Sequence, residues 1–363
     1  MRVFLSPPYM NGNEQTLVRD AFASNYIAPC GPQVDAFERA AEARFGYAAV
    51  LATVSGTMAL ELLARDLNIR SGDTVIVSTL TFIASVGPFV TLGARPVFID
   101  ASADSWCMDP GLLCEALKKY PRARAVIATD LYGQSCDLDA LRAICDAACV
   151  PLIVDAAESV GATYRGRASG KGAWAAIYSY NGNKIITCGG GGMLLSDDQG
   201  LIARCRKCSS QAREPVPWYE HTAIGTNGRL GNIPAAIGLG QLRCLDAAVN
   251  DKDAAWRGWE AHLGSRPWVE MMPTAPYGVP NRWLSVVLLK DRDPDLAVRQ
   301  LAERGIESRR VWKPMHLQPV FADAEAFLNG VSDRVFAEGL CLPSGRGLSA
   351  DVMDEVTDVL EAL

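Results

Sequence analysis

Strands and helix-length segments alternate through the first two-thirds of this chain, and that alternation most limits its fold. Val34 to Phe45 carries apolar residues at helical spacing, at Val34, Phe37, Ala41 and Phe45. Ala48 to Thr53 then reads as a short buried strand, and Thr57 to Leu67 as a helix started by Ser55-Gly56. Four more apolar runs follow, at Thr74 to Ser78, Arg95 to Ile99, Ala125 to Thr129 and Leu152 to Asp155. Strands separated by helix-length connections imply βαβ units and a mainly parallel sheet. Ligands of such sheets bind beyond the carboxyl ends of the strands. Thr53-Val54-Ser55, Thr79 to Phe82, Asp130 and Asp155 all fall there.

Downstream the pattern changes. One long helix is predicted from Ala235 to His262, with apolar positions at Ile237, Leu239, Leu242, Leu245 and Ala248. Trp283 to Leu289 then reads as a strand, Asp295 to Arg304 as a helix and Val352 to Leu363 as a closing helix. The expected division is a large α/β domain at 1–245 and a smaller α/β domain at 246–363, joined by the long helix. A chain of 363 residues, 49% hydrophobic and 21% charged, can fill both.

Charge and cysteine usage remove several function classes. The net charge of -6 argues against nucleic acid, whose phosphates need a basic surface. The N-terminus lacks the apolar stretch of a signal peptide. The most apolar window, Val75 to Ala94, is broken by Ser78, Thr79, Thr81, Ser85, Gly87, Pro88, Thr91 and Gly93, and reads as a buried strand and helix, with no membrane span. The 11 cysteines are scattered and odd in number, which suits reduced thiols in a cytoplasm. Cys205-Arg206-Lys207-Cys208 has no second pair and no nearby histidine, so it reads as two thiols on a helix. His221, His262 and His316 lie far apart, and no paired spacing supports a metal.

Three features carry possible chemistry. Ser55-Gly56-Thr57 stands at a strand-to-helix turn, where exposed N–H groups suit a phosphate, although a plain serine N-cap also explains it. Asp155 ends a strand and could be a metal ligand, a helix cap or the partner of a ring nitrogen. Lys184 follows Ser179-Tyr180-Asn181-Gly182-Asn183 and precedes the tract Gly189 to Gly192. The tract lacks GxGxxG spacing and reads as a turn into the strand Met193 to Ser196. Gly166 to Lys171 resembles a Walker loop only superficially, because Arg165 stands where its first glycine belongs and Gly172 replaces Ser/Thr. Together, a phosphate cradle, a strand-end acid and a lysine suit pyridoxal phosphate: the lysine as Schiff-base amine, the acid holding the ring nitrogen protonated.

At this point a resemblance is plain. Ser55-Gly56-Thr57, Thr81-Phe82, Asp155-Ala156-Ala157-Glu158, Ser179 to Lys184 and Arg229 to Asn232 resemble the DegT/DnrJ/EryC1/StrS sugar aminotransferases, of pyridoxal phosphate fold type I, over nearly the whole chain. Asn181 to Thr187 and Trp312-Lys313-Pro314-Met315-His316-Leu317-Gln318-Pro319 resemble, within that family, the perosamine synthases and the transaminases that make UDP-4-amino-4,6-dideoxy-N-acetylglucosamine. The resemblance implies an aspartate aminotransferase fold and a set of roles. Lys184 is the catalytic amine. Asp155 pairs with the pyridine nitrogen, Phe82 stacks on the ring, and Glu158 meets its hydroxyl side. Gly56, Thr57 and Ser179 hold the phosphate. Asn227 reaches the phosphate of the neighbouring subunit, which implies a homodimer with shared active sites. Thr226 and Gly228 stand where relatives have tyrosines, so this segment is less bulky. Trp312, Lys313 and His316 face the nucleotide sugar, with core packing the other reading of Trp312.

The expected reaction moves an amino group from L-glutamate to C4 of a UDP-linked 4-keto-6-deoxy-N-acetylhexosamine. Lys184, freed from the cofactor, carries the proton. GDP-perosamine synthesis is the alternative substrate reading. Rival classes are a sugar dehydratase of the same fold, which has histidine in place of the lysine, a non-enzymatic sensor, and a glycosyltransferase, for which no DxD-like pair stands out.

Overall fold

The computed structural model describes all residues, 1–363. Its central sheet has eight strands, in the order Ala49–Thr53, Gly192–Ser196, Ala175–Ser179, Leu152–Asp155, Ala125–Thr129, Thr74–Ser78, Arg95–Ile99 and Glu325–Phe327. All run parallel except Gly192–Ser196, which is antiparallel to both of its neighbours. The inner strands are buried along nearly their whole length, as a sheet covered by helices on both faces requires. One apolar layer packs Phe37, Ala41 and Phe45 under the sheet. On the other face, Leu60, Leu62 and Leu63 of the Gly56–Asp66 helix cover Val75, Val77, Ile153 and Ile177.

The expected strands all form, and the tract Gly189 to Gly192 is the turn into an antiparallel strand. That reversal matters for position. Because Gly192–Ser196 folds back on Ala175–Ser179, the loop 180–191 that carries Lys184 hangs at the carboxyl edge of the parallel strands. Gly192 is paired with both Thr53 and Ser179. A Cβ there would lie 2.2 Å from the Ser55 carbonyl carbon and 2.3 Å from the Gly56 nitrogen. Only glycine lets the helix that starts at Gly56 approach the sheet this closely.

The predicted long helix is two helices, Asn232–Leu242 and Leu245–Leu263. The Cys244 amide bonds back to the Gln241 carbonyl at 3.0 Å, a tightened turn that ends the first helix. The apolar spacing runs on through this break, so periodicity could not reveal it. The break adjoins the expected 245/246 boundary. Beyond it, a four-stranded antiparallel sheet forms in the order Val269–Met271, Ser285–Leu289, Gly339–Leu342 and Arg309–Arg310. Trp259, Leu301 and Val356 pack beneath it. One C-terminal segment, Glu325–Phe327, returns to the edge of the large sheet beside Arg95–Ile99. The Walker-like stretch Gly166 to Lys171 begins in the turn and second strand of a small hairpin, Thr163–Tyr164 with Arg167–Ala168, turned by Arg165 and Gly166 at positive φ. The Gln199–Cys208 helix carries both thiols of the CxxC, with Cys205 buried. No helix is long and apolar enough to cross a membrane.

Candidate active site

A cavity of about 910 Å³ opens at the carboxyl edge of the large sheet. It is closed on its other sides by the N-terminal segment Phe4 to Pro8 and by residues of the C-terminal part, among them Trp283, Arg309 and Trp312. Gly56, Thr57, Phe82, Asp155, Glu158, Ser179, Lys184 and Trp312 all line it. Eight of the eleven residues expected from sequence therefore meet at one place.

Each is delivered by a local device. Ser55 is extended, and its Oγ accepts from the Met58 amide at 3.0 Å, so it is an N-cap as well as part of the cavity wall. The amides of Gly56 and Thr57 in the same first turn have no acceptor in the protein. Asp155 is 5% exposed at its strand end. Its Oδ1 accepts from the Ala157 amide (3.1 Å) and its Oδ2 from Ser85 Oγ (2.5 Å). Ser85 in turn meets Thr81 Oγ1 at 2.6 Å, and Thr81 meets Thr129 Oγ1 at 2.7 Å, a buried row of hydroxyls behind the acid. Burial raises the Asp155 carboxyl from its ordinary range, while Ser85, the Ala157 amide and Lys184 hold it down.

Lys184 Nζ is bracketed. Glu158 Oε1 lies 3.3 Å away, and the Trp283 ring centroid 3.9 Å away. The second oxygen of Glu158 accepts from the Tyr132 amide at 2.7 Å. Burial pushes the Glu158 carboxyl up to about 7, against the opposing pull of Lys184 and the Tyr132 amide. The lysine thus faces an acid and an aromatic ring. An amine beside two carboxyls with raised pKa values, in one cavity, is the arrangement expected where protons are moved.

Phe82 stands exposed at the cavity edge, its ring 5.6 Å from that of Trp312. Trp312 also packs on Tyr132 at 5.5 Å and on Trp283 at 6.4 Å. It therefore lines the cavity and also packs in an aromatic wall.

Three expected residues lie outside the cavity lining: Lys313, His316 and Asn227. His316 is turned to the end of the Thr74–Ser78 strand. Its Nδ1 meets Thr79 Oγ1 at 2.7 Å, and its Nε2 meets Asp333 Oδ1 at 3.0 Å. With both ring nitrogens engaged, it anchors the segment that carries Trp312. Asn227 is exposed, bridged through its backbone to Ser210. Ser85, Thr129, Tyr132 and Trp283 were not among the expected residues. Ser85 meets Asp155 only through the fold, so no local pattern marks it. Trp283 carries the faint signal of a tryptophan opening a strand.

The residues present fit pyridoxal phosphate. Each Asp155 oxygen keeps a lone pair beyond the one bond it accepts, as a protonated ring nitrogen requires. The open amides of Gly56 and Thr57, at a helix N-terminus, suit a phosphate. Lys184 offers the amine.

Comparison with known proteins agrees. The DegT/DnrJ/EryC1/StrS aminotransferase family matches residues 8–361. The chain belongs to that family. The aminotransferase is 43% identical to EpsN of Bacillus subtilis, assigned to the pyridoxal phosphate-dependent aminotransferases, over 99% of this chain and 95% of that one. It is 35% identical to the GDP-perosamine synthase of Caulobacter vibrioides, over 99% and 98% of the two chains. Among solved structures, the aminotransferase TlmJ of Streptoalloteichus hindustanus superposes with a TM-score of 0.93 at 27% identity, over 99% of this chain and 98% of that one. The aminotransferase is thus an enzyme of the type I fold, and its cofactor is pyridoxal phosphate.

Proposed function

We propose that the enzyme carries an amino group from L-glutamate to C4 of a nucleotide-linked 4-keto-6-deoxy sugar, with a UDP-linked N-acetylhexosamine as the preferred acceptor. The observation that carries the amino-transfer reading is Lys184 Nζ held 3.3 Å from buried Glu158, in the cavity that also holds Asp155. Bound pyridoxal phosphate supplies an aldehyde that condenses with amines and a ring that stores the electrons of a broken C–H bond.

The chain's own residues do the rest. The amides of Gly56 and Thr57, with the hydroxyls of Thr57 and Ser179, hold the phosphate. Asp155, steadied by Ser85, keeps the ring nitrogen protonated. Phe82 would cover the ring, and Glu158 would meet its hydroxyl side. With the group bound, Lys184 would be the base that takes the proton from the donor's Cα and holds it at Nζ. In the second half-reaction the same amine moves protons in reverse order toward the ketosugar. Trp312 lies at the sugar, and His316 acts by holding the Trp312 segment.

The preference for a UDP-linked sugar rests on the likeness of Asn181 to Thr187 and Trp312 to Pro319 to the transaminases that aminate C4 of such sugars. A second reading, a GDP-linked acceptor, is supported by the 35% identity to a GDP-perosamine synthase. The enzyme is a homodimer in this reading, with Asn227 completing the partner's phosphate site.

The test is an assay with L-glutamate against UDP- and GDP-linked 4-ketosugars. The UDP-linked sugar is expected to turn over at least about tenfold faster, roughly what one good hydrogen bond to the base is worth. Equal rates defeat the base preference. A Lys184→Ala protein that still completes glutamate-to-sugar turnover defeats the whole reading.

A further inference from the structure

Lys252 is a buried lysine without an acidic partner. It stands on the Leu245–Leu263 helix and is 5% exposed. Its Nζ donates to Ser6 Oγ (2.8 Å) and to the Trp283 carbonyl (3.1 Å). Ser6 Oγ donates to the carbonyl of Asn183 (3.0 Å), and the Trp283 indole Nε1 donates to that same oxygen (2.6 Å). Asn183 immediately precedes Lys184, whose amine lies against the Trp283 ring. Two donors far apart in sequence, Ser6 and Trp283, therefore meet on one carbonyl beside the reactive lysine, and Lys252 bonds to both. A buried, uncompensated lysine costs stability that an apolar side chain of like size does not. Its presence asks for a different reason.

We propose that Lys252 is a positioning residue for Lys184: it holds Ser6 and Trp283 so that both donate to the Asn183 carbonyl, which fixes the lysine's turn and sets the indole face against its amine. The proposal rests on the reading of Lys184 as the reactive amine. A serine hydroxyl has a single proton. With Lys252 donating to the Ser6 oxygen, that proton is directed to Asn183. The second Lys252 bond holds the backbone of Trp283, so the indole is fixed from behind as well as through its Nε1.

The charged groups around the clamp are few. Arg346, paired with Asp251, faces Lys252, and Glu158 and Asp155 face Lys184. Burial, with Arg346 adding to it, pushes Lys252 down to about 7. The ammonium and the neutral amine both have the two N–H bonds needed, so the clamp holds on either side of that pH.

The test labels the apoprotein with an amine-reactive acylating reagent at one pH and measures Lys184 against exposed Lys118 by peptide mass spectrometry. Lys252→Met is expected to raise the Lys184 to Lys118 ratio about three- to tenfold, the range a released cation–π interaction covers. A fall in global stability alone does not move one lysine against another in folded protein. An unchanged ratio in folded Lys252→Met overturns the proposal. Should that variant not fold, Ser6→Ala decides: a rise of about twofold supports the clamp, since one of two donors to the carbonyl is removed, and no rise overturns it. Failure to bind pyridoxal phosphate would count against the functional reading and leave this ratio measurable.

Discussion

Glu158 is the residue whose chemistry this site tunes most visibly. It is 3% exposed, its two oxygens are bonded to Lys184 and to the Tyr132 amide, and burial raises its carboxyl to about 7. The ionised form is the one that holds the Lys184 amine. Below about pH 7 the carboxyl is protonated and that hold weakens, so kcat/KM for L-glutamate is expected to fall about tenfold per pH unit on the acid side, as removal of one essential ionised group requires. Glu158→Gln removes the titrating group. Its profile should be flat through that range, on a plateau lowered by about 10- to 100-fold. The same acid limb in the variant as in the wild type would show that another group titrates there. Lys184 and Asp155 could be singled out from their own short runs, and Glu158 came only with the family resemblance. Ser85 and Trp283 could not be singled out, because their contacts with Asp155 and Lys184 exist only once distant segments have come together.

At the scale of elements, the end of the cavity lined by Ser55, Gly56 and Thr57 depends on how closely the Gly56–Asp66 helix meets the sheet. The glycine tract reads from sequence as a turn, and it is one. What sequence does not separate is that its four glycines have different jobs. Gly190 lines the cavity with nothing within 4 Å of a Cβ, whereas a Cβ on Gly192 would strike the backbone of Ser55 and Gly56. Backbone cannot rotate away as a side chain can. Gly192→Ala is expected to destabilise the protein by about 1–3 kcal/mol, the usual range for overpacking. It should also weaken cofactor binding about tenfold or more, because it displaces the amides proposed to face the phosphate. Gly190→Ala should leave both unchanged. Denaturant melts and titration of apoprotein with pyridoxal phosphate check this, and equal behaviour of the two variants would remove the close approach as a cause. The same limit on local reading explains the helix predicted from Ala235 to His262. Its apolar positions keep step across Arg243-Cys244, so the break depends on a backbone bond that leaves no trace in the pattern.

For the whole molecule, the alternation of strands and helices marked out the parallel sheet, and its carboxyl edge holds the cavity as such sheets predict. Assembly is the level that one chain's pattern reports least. Asn227 is exposed and outside its own cavity, while Phe82 and Ile83 stand exposed at or near the cavity edge. Both facts suit a second copy laid across the opening. If Asn227 serves the partner's phosphate site, a subunit carrying Asn227→Ala harms its neighbour and spares itself. A hybrid dimer of one Lys184→Ala subunit and one Asn227→Ala subunit then has one site with an intact lysine and an intact asparagine. The other site lacks both. Asn227→Ala alone should raise the Kd for cofactor about tenfold, the value of one charge-assisted hydrogen bond. At cofactor concentrations that leave each parent dimer largely inactive, the hybrid should recover close to half the wild-type activity per dimer. If Asn227 serves its own subunit instead, no site in the hybrid has both residues, and mixing recovers nothing. Light scattering on the same samples gives the mass of the species being assayed, and a monomer that is fully active would exclude the shared site.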